Sequence, residues 1–296
     1  MTTLTIPKDG PRIAPLASGT RTFPATEADR VSPYVRTEYD KSIHTWGIPN
    51  NLIRTMAWLP RLALTEVDYA NSFIFDERVY SQIPSPEDPT KTVLFPEAGF
   101  VDRVTKELLI NLVSLMNRSR YSITHHTVIG FGTISSVHGR DRAEQMLLRL
   151  VDDNGDACFA YRTDLYSDYQ LAALNLAVKL RGDAHAVTDG EFTNFRGLCS
   201  VEARTQIESS VLSIQDESTS QAYIDAYVNG MLVETTWCIV HFAGLLNKWF
   251  TVLKMMDETD VAADGVDFVT AYNQSIPESI KRRNNKLLGE DGWGTR

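Results

Sequence analysis

Apolar residues recur along most of this chain at the three- and four-residue spacing of one helix face. The clearest case is 101–116, where Val104, Leu108, Leu112 and Met116 lie on a wide apolar face and predict a core helix. Strand-like alternation is weak throughout, so the pattern predicts an all-α fold. Further helices are predicted at 32–80 (two or three), 120–131, 141–151, 167–181, from 188 onward, 220–253 and 264–272.

Capping residues mark several of the predicted helix starts. Ser119 is suited to cap the helix that follows the 101–116 segment, and Ser167 or Asp168 to cap the one at 167–181. Thr188 and Glu191 have the spacing of a capping box. Four prolines within 81–100 exclude a long helix and predict a loop that covers a cleft.

The same pattern divides the chain into three parts. Residues 1–30 mix Thr, Pro, Gly and Ser with little periodicity, which predicts an extended arm lying on the body or on a partner. Residues 31–275 are predicted to form a single all-α domain, and 276–296 a C-terminal tail.

Composition excludes several classes of function. The 296 residues carry a net charge of -9, which disfavours nucleic-acid and anionic-membrane partners because both need clustered Lys and Arg. The apolar stretch 237–256 is interrupted by His241, Asn247, Lys248 and Lys254, which indicates a buried helix instead of a membrane span. The first residues lack a basic flank followed by an apolar run, so we expect no secretory signal and a cytoplasmic protein.

Chemistry-bearing residues concentrate around the junction of two predicted helices. Within 106–126 the chain sets the Glu107 carboxylate, the Ser119 and Ser122 hydroxyls, and the His125 and His126 imidazoles around one turn. Three cysteines, Cys158, Cys199 and Cys238, form no CxxC pair and are expected to be small buried apolar side chains.

This junction resembles that of the carboxymuconolactone decarboxylase and alkyl hydroperoxidase D-like superfamily. That family has a Glu on one helix, then a CxxC whose second Cys is followed four residues later by His. Here Ser119 and Ser122 occupy the cysteine positions, Glu107 precedes Ser119 by twelve residues, and His126 follows Ser122 by four. The segment 169–192 also resembles the family. The resemblance covers about 30–255, with 197–219 as an apparent insertion.

The resemblance implies an alkyl hydroperoxidase D-like helical bundle that assembles as a homo-oligomer: a dimer, trimer or hexamer. Its active site would be lined by the junction and often by a neighbouring subunit. In redox members the two thiols reduce peroxides. Serine has no disulfide state, so thiol peroxidase activity through this motif is excluded.

Acid–base groups remain after the loss of sulfur. Glu107, on an otherwise apolar helix, is expected to be a desolvated general base or acid, with His126 as its partner. Ser122 and Tyr121 are the candidate hydrogen-bond donors, and Ser119 could donate to a carboxylate or an enolate. The alternatives are that Ser119 only caps its helix and that Glu107 only makes a buried hydrogen bond.

Substrate-binding residues are expected at the junction and on the long helix near the C-terminus. Successive helical residues point about 100° apart, so only one of His125 and His126 can face the cleft; packing is the alternative for His125. His241 and Asn247 could contact substrate while Trp237 forms an apolar wall, and the alternative is core or interface packing. We expect Phe95, Phe100 and Tyr161 near these side chains, where together they would form a pocket for a ring-containing or polyketide-like molecule.

Metal ions and nucleotide cofactors are not indicated. Adjacent histidines on a helix cannot both ligate one ion, and no HxxxH or ExxH spacing accompanies them. The chain has no phosphate-binding glycine loop, and Gly130-Phe131-Gly132 is interpreted as a helix C-cap. We therefore expect no cofactor.

The sequence thus predicts a cofactor-independent decarboxylase, isomerase or cyclase acting on a small carbonyl- or lactone-containing molecule, in secondary metabolism. The alternative is a non-catalytic ligand-binding or assembly protein that descends from a peroxidase-like ancestor. A third reading is a residual peroxidase that uses the other cysteines.

Overall fold

The chain is mostly helical, as its periodicity predicts. The computed structural model describes residues 3–4, 10–12, 51–56, 59, 62, 65–66, 69–74, 80–257 and 268–293. Its helices are α1 Asn51–Met56, α2 Arg103–Met116, α3 Arg120–His138, α4 Arg140–Leu148, α5 Asp168–Gly182, α6 Asp189–Glu208, α7 Gln221–Val240, α8 Asn247–Leu253, α9 Phe268–Ser275 and α10 Glu278–Leu288. Two π-helical segments, Ala70–Ile74 and His241–Leu246, and three short 3-10 turns, Ala184–Ala186, Val211–Ile214 and Asp216–Thr219, complete the helical part.

Helix α2 is the centre of the fold. It packs against α3, α5 and α7, and from Val104 to Met116 every residue is buried. Its apolar side chains Leu108, Ile110 and Leu112 have no exposed surface. A polar side chain on this helix therefore has to find its partners inside the protein.

Local capping chemistry sets several helix starts as predicted. Asp102 caps α2 by accepting from the Thr105 amide. Ser167 begins α5 with a capping box to Gln170, and Thr188 begins α6 with a capping box to Glu191. Ser119 occupies the N-cap position of α3, but its side chain makes no capping hydrogen bond.

The proline-containing segment 81–100, predicted to be a loop, contains the only two strands in the described part of the chain. It forms an antiparallel hairpin of β1 Tyr80–Pro84 and β2 Thr92–Pro96, paired from Tyr80 with Pro96 to Pro84 with Thr92. The prolines at 84 and 96 lie at strand ends, where a missing amide donor is tolerated. Gln215 binds the Leu94 amide and carbonyl with its side chain, which gives the edge of β2 a partner outside the hairpin.

Helix α3 continues through the glycines that were interpreted as a C-cap. It runs to His138 and ends at Gly139, which has a positive φ of 82°. Gly130 lies inside the helix because its missing Cβ makes room for α2, as described below. The predicted end near residue 131 was wrong.

Residues 3–4 contact the helices near the C-terminus. Within the predicted tail 276–296, α10 buries Ile280, Leu287 and Leu288. Leu4 is 3% exposed, and its amide donates to Asn273 Oδ1 at 3.1 Å. The rest of the predicted arm 1–30 lies mostly outside the described residues.

Residues 220–253 form one nearly continuous helical run of α7, the π segment and α8. Throughout the described chain, every helix is too short or too polar to cross a bilayer.

Candidate functional site

Two polar stripes face each other across the contact between α2 and α3. On α2, Glu107, Asn111 and Ser114 recur at helical spacing, and on α3, Ser122 and His126 do the same. We call this contact, defined by those five residues, the α2–α3 seam. It is a hydrogen-bonded polar strip inside an otherwise apolar core.

A carboxylate–imidazole pair lies at one end of the seam, opposite the end that carries Ser114 and Ser122. His126 Nδ1 is 3.1 Å from Glu107 Oε2, and Arg103 Nη2 is 2.5 Å from the other oxygen, Oε1. The exposed side-chain fractions are 0% for Glu107, 13% for His126 and 17% for Arg103. The His126 and Arg103 side chains are therefore partly exposed, whereas the Glu107 carboxylate is fully buried.

The charges around Glu107 keep it ionised. Burial opposes its ionisation, but the Arg103 charge and the hydrogen-bonded His126 outweigh burial and hold the pKa of Glu107 below its usual value. An ionised carboxylate can only accept, so His126 Nδ1 donates the proton of their hydrogen bond. In the neutral imidazole this leaves the Nε2 lone pair to accept a proton.

Asn111 and Gly130 set the spacing of the two helices at this pair. Asn111 Nδ2 donates to the carbonyls of Glu107 and His126, each at 2.8 Å. A Cβ at position 130 would lie 2.6 Å from Asn111 Nδ2 and 3.4 Å from Glu107 Oε2. Glycine is therefore required at position 130 for α3 to approach the seam this closely.

The hydroxyls of Ser119 and Ser122 are enclosed. Ser122 Oγ is 2.7 Å from Ser114 Oγ, and Asn247 Nδ2 lies 3.3 Å from the same Ser114 atom. Ser119, Ser122 and Asn247 are all 0–1% exposed, and the Ser119 hydroxyl has no hydrogen-bond partner among the described residues. Ser122 and Asn247 thus meet at one cluster at the end of the seam.

Tyr121 and His125 lie on a different face of α3 from His126. The His125 ring packs between Tyr121 and Phe268, at centroid distances of 4.0 and 4.3 Å, and its Nδ1 donates to the Tyr121 carbonyl at 2.9 Å. The Tyr121 hydroxyl accepts from the Leu52 amide at 3.3 Å. The structure therefore does not place these two residues in the seam.

His241 and Trp237 belong to a second polar group beside the seam. His241 Nε2 is 3.1 Å from Glu66 Oε1, with both side chains buried, and its ring lies 4.1 Å from that of Tyr69. Trp237 is 54% exposed and meets Tyr69 edge-on at 6.3 Å. Phe242 contacts both His126 and His241, so it separates the two imidazoles.

Of the three aromatic residues expected near Trp237, Phe100 lines a pocket together with it. Phe95 contacts Phe100 at 5.6 Å but does not line that pocket, and Tyr161 is 95% exposed. Tyr161 is held in a turn with a positive φ of 70°.

The cysteines are poor nucleophiles. Burial raises the pKa of Cys199 and of Cys238 to about 12 each and also raises the pKa of Cys158. Because the thiolate is the reactive form, these side chains are protonated at neutral pH. Cys199 and Cys238 are buried as expected, whereas Cys158 is partly exposed.

No group of three or more His, Cys, Asp or Glu side chains in the described ranges has the geometry to hold a metal ion.

Sequence reasoning missed Arg103, Asn111, Ser114 and Gly130. Helical periodicity carries the signal for all four: Arg103 lies one turn before Glu107, Asn111 and Ser114 follow on the same face, and Gly130 is one turn after His126. Glu66 and Tyr69 had no such signal, since their contact with His241 joins segments that are distant in sequence.

Comparisons with known proteins add no relative: no family model matches the chain, and no curated protein matches it significantly.

Proposed function

We propose that this chain is a cofactor-independent acid–base enzyme that acts on a small carbonyl- or lactone-containing organic molecule. The observation that carries the proposal is the buried, ionised Glu107 bound to His126 Nδ1, with Arg103 on its other oxygen. We further propose that the bundle is of the carboxymuconolactone decarboxylase-like type, with both redox cysteines replaced by serine. The spacing of Glu107, Ser119, Ser122 and His126 supports this part.

Buried Glu107 and partly exposed His126 take different parts in the reaction. Glu107 has no surface to offer a substrate, so it acts by orienting the imidazole and stabilising its charged form. His126 Nε2 removes a proton from a carbon next to a carbonyl, and the electron pair moves into the enolate. The imidazolium then returns the proton to a different carbon in an isomerisation. In a decarboxylation, a carbon–carbon bond breaks first, CO2 leaves, and an initially protonated His126 donates to the resulting carbanion.

The neighbouring groups fit an acidic substrate. Arg103 offsets the charge of Glu107, so an organic acid or a developing enolate at His126 does not meet an uncompensated carboxylate. Ser122 is bonded to Ser114 and enters the proposal as a positioning residue of the seam. Tyr121 and His125, on the other face of α3, hold that face against Phe268 and α1.

The second candidate function is ligand binding without turnover. Burial of Ser119, Ser122 and Asn247 favours it only indirectly, because it leaves fewer accessible groups for catalysis than the sequence predicts. A binding protein would retain its ligand unchanged, whereas an enzyme would release product in molar excess over itself.

The test is incubation of the purified protein with a cell metabolite extract, read by mass spectrometry. His126→Asn is compared with His138→Asn, which changes an exposed histidine of the same helix. We expect a mass feature to be consumed by the native protein and by His138→Asn, and consumed about 10²- to 10⁴-fold more slowly by His126→Asn. A product lighter by CO2 identifies a decarboxylase. Equal turnover by the two variants refutes the acid–base assignment, and a co-purifying, unchanged molecule supports the binding alternative.

Assembly as a homo-oligomer, a cytoplasmic location and a role in secondary metabolism remain predictions. Sedimentation or gel filtration tests the first of them.

A further inference from the structure

An aromatic pocket lies outside the seam, against the outer side of α7. Its volume is about 330 Å³, at the small end of the ~300–1,000 Å³ range of small-molecule pockets. Its walls include four aromatic rings, those of Tyr69, Phe73, Phe100 and Trp237. Neither Glu107 nor His126 lines it, so it is distinct from the proposed catalytic pair.

The Trp237 ring stands at a steep angle to the stacked rings of Tyr69 and Phe73. Tyr69 stacks on Phe73 at 5.3 Å, while Trp237 meets Tyr69 at 6.3 Å with 70° between the ring planes. Phe73 and Trp237 are 39% and 54% exposed and mark the open side. A small ligand can therefore contact π surfaces from more than one direction.

Three anchors fix this arrangement without a ligand. The Glu66–His241 pair ties the segment that carries Tyr69 to the end of α7. Glu234 on α7 accepts from the Gly99 and Val101 amides and pairs with Lys106 at 2.7 Å. These bonds preorganise the pocket walls, which lowers the entropic cost of binding.

Gly230 is the third anchor. A Cβ there would lie 2.5 Å from the Phe100 ring, so the ring rests directly on the α7 backbone. Phe100 is only 8% exposed and is held at that position by Tyr227 on its other side, at 5.1 Å.

The electrostatic surroundings are negative. The charged residues that line the pocket are Glu97 and Glu234, and none of its lining residues within the described chain is basic. Glu234 is balanced by Lys106, whereas Glu97 is exposed and has no ion-pair partner among the described residues. Burial is the largest cause that raises the pKa of Tyr69, and the nearby Glu66 and Glu234 carboxylates add to it.

We propose that this pocket binds a substituted ammonium cation, held against the Tyr69 and Trp237 rings with Glu97 as the counter-charge at its rim. Aromatic rings attract such cations through their negative faces. A methylated ammonium is weakly hydrated in water, so its desolvation on binding costs little free energy. An anionic ligand would meet Glu97 with no basic lining residue to offset it. The net charge of -9 on the whole chain adds long-range attraction for a cation.

The experiment is isothermal titration of the full chain with choline and, separately, with its neutral isostere, in which a quaternary carbon replaces the nitrogen. The two probes have the same shape, so the difference isolates the charge. We expect saturable millimolar binding of choline, and binding of the isostere about tenfold weaker, a factor that lies between those for an exposed and a desolvated cation–π contact. Equal binding of the two probes, or no saturable binding of choline, overturns the proposal.

Variants localise the binding. Trp237→Leu keeps an apolar side chain at a half-exposed position and removes the ring, and we expect choline to bind about fivefold more weakly. Glu97→Gln should weaken choline binding at low salt and have little effect at high salt, because an exposed charge is screened. Glu208→Gln, an exposed carboxylate on α6, is the matched control. Unchanged affinity in Trp237→Leu, or equal losses in Glu97→Gln and Glu208→Gln, would place the binding elsewhere and refute the assignment.

Discussion

Replacing Glu107 with glutamine tests the electrostatic description of the seam independently of any substrate. The substitution keeps the side-chain shape and removes the charge that faces Arg103 and His126. Because Glu107 is 0% exposed, no solvent replaces the lost interactions at this position. Arg103 is left beside a neutral amide.

The expected loss of stability follows from the two contacts. Removal of one partner from a fully buried ion pair costs about 3–5 kcal/mol. Glutamine still accepts one hydrogen bond, and Arg103 retains 17% exposure, so the cost falls at the lower end. We expect the free energy of unfolding at pH 7 to drop by about 2–4 kcal/mol, measured by urea titration with circular dichroism.

The pH dependence gives the second part of the same test. The pKa of Glu107 in the folded protein is lower than its ordinary value of 4.5, so the unfolded chain takes up the proton first as the pH falls. The stability due to ionisation is therefore fully present above pH 4.5 and is lost as the pH falls through the folded pKa. On acidification the native protein loses this contribution to its free energy of unfolding, whereas Glu107→Gln has no such contribution to lose. The difference in free energy of unfolding between the two proteins therefore narrows as the pH falls.

Asp164→Asn is the control for this series, since the Asp164 pair with Arg162 is on the surface. It should leave the unfolding midpoint unchanged at neutral pH. A loss under about 1 kcal/mol in Glu107→Gln, below the usual cost of breaking a buried pair, would contradict the argument. So would a difference from the native protein that stays constant or widens in acid.

Three further outcomes follow from packing and thiol chemistry. Gly130→Ala should lower the free energy of unfolding by about 1–3 kcal/mol and slow turnover, because the added Cβ displaces the Asn111 amide. Gly132→Ala is the control, since there is open space around position 132, and it should not destabilise the protein. Urea titration and the turnover assay compare the two variants. Gly230→Ala should push Phe100 into the aromatic pocket and abolish choline binding in the titration described above. Replacing all three cysteines with alanine should leave turnover unchanged; a loss of peroxide consumption in that variant would instead support the residual-peroxidase reading.

The helices that could be predicted from sequence are those set by local chemistry. The capping boxes at Ser167 and Thr188 join residues three apart, and the apolar face of 101–116 repeats within one segment. The hairpin could not be predicted in the same way. Its second strand is stabilised by Gln215 and Tyr223, more than a hundred residues later, which no local pattern contains.

The C-terminal helix was missed because three of its six buried side chains are polar or charged. Arg283 is 4% exposed and donates to the Leu147 and Val151 carbonyls, and Asn284 binds the Tyr272 hydroxyl at 2.9 Å. The sequence ESIKRRNNKLL is typical of a solvated tail, because its polar side chains find these partners only in the folded protein. Burial of the charge lowers the pKa of Arg283 to about 10.

The adjacent histidines show how far the sequence carries the candidate site. The 100° rule predicts that His125 and His126 face different neighbours, and in the structure they do. The same rule applies to Tyr121, which is one turn before His125 and so shares its face, while Ser122 shares the face of His126. The family resemblance groups Tyr121 with His126, although helical periodicity places the two residues on different faces of α3. The face rule removes Tyr121, and burial of the Ser122 hydroxyl against Ser114 removes Ser122, so the proposed catalytic set reduces to Glu107 and His126. Within that pair only His126 has exposed surface, which is why a substitution at His126, and not at Tyr121, decides whether this seam performs chemistry.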